Sequence, residues 1–334
     1  MVQIASSLLI FPILPRTITL NRSNRHKKPV EPASLMKRWT DRVYGDSRID
    51  HPNVLALIET PTFRRLAGVM QSGPSALVFP FKTVSRLEHS LGVYLLLERL
   101  GAGFQECVAG LLHDISHTAF SHAIDFLITS EEQNHHEGLK GLFLHRADIT
   151  EALAQMGFKP DDFEDDTRYS LLEKPLPGLC ADRIDYFLRD GLACGEIGQP
   201  FVNAFLRQLV VVDGRIAMSD ACLTHEAVEL FDRMNRHWWA SRSESYIYNR
   251  FAELLGQAMD QGVISEDDLL TSDAEVIERI EESGNLSLRE SLNRIRGFCP
   301  SELAGFVPRV VPKHRWIDPP VWSHGRLVHF SSLN

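Results

Sequence analysis

Between Leu87 and Arg189 the chain repeats one pattern: apolar residues at helical spacing, with histidines and aspartates set among them. Leu87, Leu91, Tyr94 and Leu95 follow the 3.6-residue period, and so do Val108, Leu111 and Leu112. His89 falls in the first of these stretches, His113 and Asp114 end the second, and Asp182 lies in the last. A helical core closes around such groups only if they have partners, because burying an unpaired polar or charged group costs free energy. The pattern therefore constrains the chain to a mostly α body that converges on something its titratable residues can bind.

Two imidazoles and two carboxylates make a donor set of intermediate softness, suited to one Mn, Fe, Co, Ni or Zn ion with positions left for water and substrate. A cation held in this way polarises a phosphoryl oxygen and lowers the pKa of water, which is the chemistry of metal-assisted hydrolysis. One His-Asp dipeptide among 14 histidines means little by itself. Its surroundings carry the weight: His113, Asp114, His117, His122 and Asp125 fall within one short run. His113 and His117, four apart, share a face if the helix continues. A patch of ordinary surface histidines and helix caps is the bland alternative.

A chain of 334 residues, 44% hydrophobic, has ample material for a core. Its net charge of −9 argues against broad nucleic-acid binding while leaving room for a local phosphate pocket. Five cysteines, odd in number and without a C-x-x-C pair, read as reduced thiols. Val2–Leu14 is apolar but short, and Pro12 and Pro15 break it, so it does not span a bilayer as a helix. Arg16, Arg22, Arg25, Lys27 and Lys28 follow, with no acid before Glu31. Residues 1–38 are expected to be a flexible basic segment in a cytoplasmic protein, or a mitochondrial or plastid transit peptide.

Helices are expected over Asn53–Met70, interrupted near Pro61, then Leu87–Leu100, Glu106–His113, Ser121–Ile128, His136–Leu144, Ile149–Met156 and Leu179–Arg189. Lys159–Thr167 reads as a surface loop. Leu209–Val212 and Arg215–Met218 form a hairpin about Asp213-Gly214. Ala221–Gln261 is one long helix or two joined, and the acidic stretch to Ile295 is helical and solvated. From Pro308 onward one or two short strands pack on the body. The fold class is all-α with a small hairpin and a short β-containing C-terminal segment. A main domain over 39–262 and an extension over 263–334 are expected.

Four stretches resemble the HD-domain metal phosphohydrolases, and most closely their deoxynucleoside triphosphate triphosphohydrolase branch. They are Arg86-Leu-Glu-His89, Leu112-His113-Asp114-Ile-Ser-His117 with Phe120-Ser-His122, Cys180-Ala-Asp182-Arg183 running to Tyr186 and Asp190, and an upstream set around Val43-Tyr-Gly-Asp, Thr60–Leu66 and Gln71-Ser-Gly. The likeness runs from about Trp39 to about Asp190 and continues more weakly to about Gln261. It implies an HD helical bundle with His89, His113, Asp114 and Asp182 as metal ligands, and Mg with the substrate phosphates. It implies Arg86 and Arg183 as phosphate-holding cations, against the alternative of ion pairs with Glu88 or Glu98 and with Asp185 or Asp190. His122 becomes the general acid, Asp125 its orienting partner, and His117 and His136 contact phosphate or the attacking water. Gln71, Tyr186 and Asp190 correspond to positions that hold the sugar.

Ser72 stands where a relative in that branch has a bulky apolar residue, which puts deoxyribose selectivity in question. His237-Trp238-Trp239, with Tyr246 and Tyr248, is read as core or subunit interface rather than a base-binding wall. The implied function is hydrolysis of a (deoxy)nucleoside triphosphate to nucleoside and tripolyphosphate, in a homo-oligomer without membrane contacts. A phosphomonoesterase, a cyclic phosphodiesterase and a non-catalytic nucleotide sensor are the alternatives.

Overall fold

The computed structural model describes residues 37–128, 133 and 135–333. The expected basic N-terminal segment lies outside them, apart from its last two residues, which already belong to a strand. β1 (Lys37–Asp41) and β2 (Gly45–Ile49) form an antiparallel hairpin that the hydrophobic pattern did not announce. Its turn is closed by Asp41, whose carboxylate accepts from the amides of Val43 and Tyr44. α1 (Pro52–Ile58) and α2 (Pro61–Arg64) follow, then a 3-10 turn over Arg65–Gly68. The helix expected across Asn53–Met70 is thus split. Pro61 has no N–H to continue α1, and Thr60 caps a new start by accepting from the Phe63 amide.

α3 (Arg86–Arg99), capped by Ser85, packs antiparallel-fashion in sequence against α4 (Phe104–Leu112). Beyond α4 the helix does not continue. Residues 113–122 form a run of turns, so His113 and His117 are not one turn apart on a helix face. Phe120 and Ser121 both have positive φ, 61° and 53°, a region costly for residues with a Cβ. That conformation is held from outside: the Phe120 amide donates to Asp273, and the Ser121 hydroxyl donates to the Met70 carbonyl. α5 (Ala123–Leu127), α6 (His135–Leu144), α7 (Ala147–Ala154) and α8 (Ala181–Cys194) complete this part, and Gly195 ends α8 in the left-handed region. Part of the expected surface loop 159–167 is two 3-10 turns, with Phe163 fully buried.

α9 (Gln199–Gln208) leads into β3 (Leu209–Val212) and β4 (Arg215–Met218), the expected hairpin, with Asp213 and Gly214 both at positive φ. α10 (Ala221–Met234) and α11 (Arg242–Asp260) are separate helices joined by a π-helical turn over Asn235–Trp239. α12 (Glu266–Leu269), α13 (Asp273–Glu282) and α14 (Leu286–Arg296) follow, and the C-terminal β5 (Pro320–Ser323) and β6 (Arg326–His329) pair with each other. β5 also joins β4 in parallel at Met218 and Val321, giving a four-stranded sheet in the order β3-β4-β5-β6.

Two hydrophobic clusters organise the body. The larger is built from α1, α3, α4, α7, α8, α9 and α10. The second joins α5 and α11 to Leu269, Val276, Ile277, Ile280, Leu288, Leu292 and Ile295. The acidic stretch is therefore amphipathic rather than solvated throughout, with one apolar face in a core. The loop residues Ala119 and Phe120 belong to this second cluster. All five cysteines are free thiols, and no helix among the described residues is long and apolar enough to cross a membrane.

Candidate active site

α3, the end of α4 and the start of α8 bring four side chains from three separate stretches of the chain close together. His89 Nε2 lies 2.9 Å from Asp182 Oδ1, 3.2 Å from His113 Nε2 and 3.6 Å from Asp114 Oδ2. His113 Nε2 is 3.6 Å from both Asp114 Oδ1 and Asp182 Oδ1. Adjacent ligands of an ion with bonds of about 2.1 Å stand about 3 Å apart, so this spacing fits a shared cation.

The outer ring nitrogens decide how well it fits. His89 Nδ1 is 2.7 Å from Asp185 Oδ2, and His113 Nδ1 is 2.8 Å from the Gly110 carbonyl. Both partners only accept, so both Nδ1 atoms carry the hydrogen and both Nε2 atoms present lone pairs. Two lone pairs facing each other beside two carboxylates require positive charge between them. A bound cation or a proton can supply it. Burial alone would lower the His89 pKa, but hydrogen bonds to Asp182 and Asp185 outweigh burial and push it up to about 10. Asp182 and Asp114 are held well below the usual carboxylate range despite burial, Asp182 by its histidine partners and Asp114 by Arg86 first.

Asp185 is the functional residue that sequence reasoning missed. It is fully buried and braced from three sides: Arg189 Nε and Nη2 donate to it at 2.9 and 3.0 Å, and the Tyr44 hydroxyl at 2.8 Å. Arg189, also fully buried, reaches Asp41 at 3.1 Å and Glu88 at 2.8 Å. The β1–β2 hairpin thereby locks the orientation of the His89 ring. A signal was present: Asp185 and Arg189 stand four apart in one helix, the spacing of an ion pair. Asp185 pairs with Arg189, not with Arg183.

The two expected phosphate cations are placed differently from one another. Arg86 is buried, donating to Asp114 Oδ2 at 2.7 Å and to Ser121 Oγ at 3.0 Å, and it pairs with neither Glu88 nor Glu98. Arg183 turns to the preceding loop, donating to the carbonyls of Lys174 and Gly178, with Glu173 at 3.7 Å. Both still border the central cavity of about 270 Å³.

His117, His122 and His136 gather on the other side of Asp114. His117 Nε2 is 3.1 Å from Asp114 Oδ1, and its ring stacks on His136 with centroids 4.0 Å apart. His122 Nδ1 lies 3.0 Å from Asp125 Oδ2. Burial pushes all three imidazoles below their ordinary value, His136 to about 3, which favours their neutral forms. His135, adjacent to His136, donates its backbone amide to Asp125.

Gln71, Ser72, Tyr186, Asp190, Trp238, Trp239 and Tyr248 also border the cavity. The tryptophans assigned to core packing thus reach the site, although Trp239 also packs on Tyr186 and Phe231. Trp239 Nε1 donates to Asp190 Oδ2 at 2.9 Å. Gln71 Oε1 and Ser72 Oγ are buried with no hydrogen-bond partner among the described residues. Lys82 is closed off in a buried pair with Glu244 at 2.8 Å.

A family model described as "HD domain" matches residues 86–190, the span from Arg86 to Asp190 that holds all four converging side chains. Similarity extends well beyond it. The uncharacterised protein YdhJ of Bacillus subtilis is 37% identical over 259 residues, covering 76% of this chain and 79% of its own. The metal-dependent phosphohydrolase cns2 of Cordyceps militaris is 30% identical over 301 residues, covering 85% of each. The chain belongs to the HD-domain metal-dependent phosphohydrolases. It is a hydrolase of phosphate esters, and the family implies a divalent metal. A more partial relative of this HD phosphohydrolase is the deoxynucleoside triphosphate triphosphohydrolase SAMHD1 of Gallus gallus, 30% identical over 218 residues. That match covers 50% of this chain and 35% of the enzyme. A crystal structure of a hypothetical protein from Aquifex aeolicus shares the fold, with a TM-score of 0.67 at 22% identity and coverage of 90% and 92%.

Proposed function

We propose that this phosphohydrolase cleaves a nucleotide between phosphorus and the sugar oxygen, releasing a nucleoside, with a (deoxy)nucleoside triphosphate as substrate and tripolyphosphate as the second product. The observation that carries the reading is that His122, held by Asp125, borders the same cavity as His89, Asp114 and Asp182. His89, His113, Asp114 and Asp182 would hold one divalent ion of the Mn, Fe, Co, Ni or Zn type, which polarises a phosphoryl oxygen and lowers the pKa of water.

The chain's own groups divide the remaining work. Arg86, fixed by Asp114 and Ser121, adds positive charge where phosphate oxygens gather. Asp125 pins Nδ1 of His122, so Nε2 is the atom available to a leaving oxygen. Burial favours the neutral form of His122, and the negative charge of a bound phosphate would raise its proton affinity, so the acid would form with the substrate in place. His117 and His136 stand beside Asp114, within reach of the phosphate or of attacking water. Tyr186, Trp238 and Trp239 offer apolar walls to a nucleoside, and the unpartnered Gln71 Oε1 and Ser72 Oγ are free to bond sugar hydroxyls.

One observation favours a second reading, a nucleotide phosphomonoesterase. Lys82, Arg86 and Arg183 are already engaged by protein acceptors, which leaves less charge for a triphosphate. Hydrolysis in ¹⁸O-water over a panel of ribo- and deoxynucleotides with different metals separates the cases. The reading predicts label in the phosphate product and tripolyphosphate from triphosphates. Orthophosphate from monophosphates alone selects the second reading, and label in the nucleoside rejects both.

A further inference from the structure

The cavity is closed by a part of the chain that lies outside the HD match. After α14 the backbone returns as an extended strap, and buried amide side chains hold it as a sheet partner would. Asn249 on α11 accepts from the amides of Arg309 and Val310 and donates to the Val310 carbonyl at 2.8 Å. Asn235, in the π-helical turn, accepts from the Arg315 amide at 2.8 Å and bonds His314 Nδ1. Gln133 accepts from the Lys313 amide and donates to the Val311 carbonyl. Between these anchors Pro312, Lys313 and Arg315 border the cavity.

Arg315 differs from the other arginines there. Arg86 has Asp114, and Arg183 has loop carbonyls and Glu173. The Arg315 guanidinium makes one long hydrogen bond, 3.4 Å to the Lys313 carbonyl, and has no acidic partner among the described residues. It is half-buried, which weakens the competition of water for its charge. Its charge acts on both His122 and Tyr186, which border the same cavity.

We infer that the strap is a built part of the substrate site and that Arg315 is its anion-recognising residue, binding a phosphate of the substrate opposite the metal ligands. The inference rests on the nucleotide reading above for its substrate, but anion binding tests it separately. A planar guanidinium free of carboxylates is suited to bidentate contact with phosphate oxygens.

The test uses the metal-loaded full chain with Arg315→Gln and Arg315→Lys. Tripolyphosphate and orthophosphate are titrated as probes by calorimetry, and nucleotide hydrolysis is followed at several salt concentrations. Arg315→Gln is expected to weaken binding of the probe anion roughly tenfold or more, to raise KM by more than it lowers kcat, and to flatten the salt dependence. Arg315→Lys recovers part of each. Asn249→Ala, which frees the strap but keeps the arginine, weakens the anion in the same direction. Unchanged anion affinity and KM in Arg315→Gln overturn the inference even where wild type hydrolyses nucleotides. Anion binding that depends on Arg315 in a wild type without nucleotide turnover upholds it and discards the nucleotide reading instead.

Discussion

Asp185 binds Nδ1 of His89 and so fixes which nitrogen of that ring faces His113 and Asp182. Asp185→Asn removes the negative charge behind His89 and puts an amide N–H in place of one acceptor oxygen, which loosens the choice of tautomer, while Arg189 keeps Asp41 and Glu88. The expected outcome is a folded chain whose metal affinity falls about 10- to 100-fold, measured by competition with a chelating dye. His122→Ala is expected to keep its metal and lose about 10²- to 10⁴-fold in kcat. His136 gives a pH signature. Unfolded, it takes a proton near 6.5; folded, only near 3. Between those values the unfolded chain binds more protons, so stability present above pH 6.5 is lost as pH falls through the window. Thermal unfolding of the metal-free chain should therefore drop in midpoint from pH 6.5 to 5, and less steeply in His136→Gln.

Helix spacing made most elements legible, because the core helices carry apolar residues at 3.6-residue intervals and the β3–β4 hairpin announces itself by Asp213-Gly214. What stayed hidden depends on contacts made elsewhere in the chain. The β1–β2 hairpin has no strong alternation, since its purpose is to deliver Asp41 and Tyr44 to a buried ion network. The turns after His113 break a helix that local pattern would continue, and they are stabilised by Asp273, far along the chain. Gly92 shows how tightly α3 and α8 meet over that network. A Cβ there would stand 2.1 Å from both Arg189 Nη2 and Asp185 Oδ1. Gly92→Ala is expected to destabilise the fold by about 3 kcal/mol, near the upper range for overpacking, and to weaken metal binding with it. A calorimetric melt with metal titration checks both.

Across the whole molecule, the HD segment and the C-terminal third share one site. His89, His113, Asp114 and Asp182, and the histidines His117 and His122, were picked out by the resemblance of their motifs to the family's, and the structure brings them near one another. The contribution of residues 263–334 was not readable, because only folding brings Asp273 to the Phe120 amide and Arg315 to the cavity that His122 borders. The same cooperation predicts that a saturating divalent ion raises the melting midpoint of the whole body in a single transition, with the gain reversed by a chelator. The most direct test is metal analysis of the purified chain beside its Asp182→Ala variant. One bound divalent ion per wild-type chain is expected, with both the ion and phosphohydrolase turnover lost in the variant. A full complement of ion with undiminished turnover in Asp182→Ala would contradict the shared-cation site.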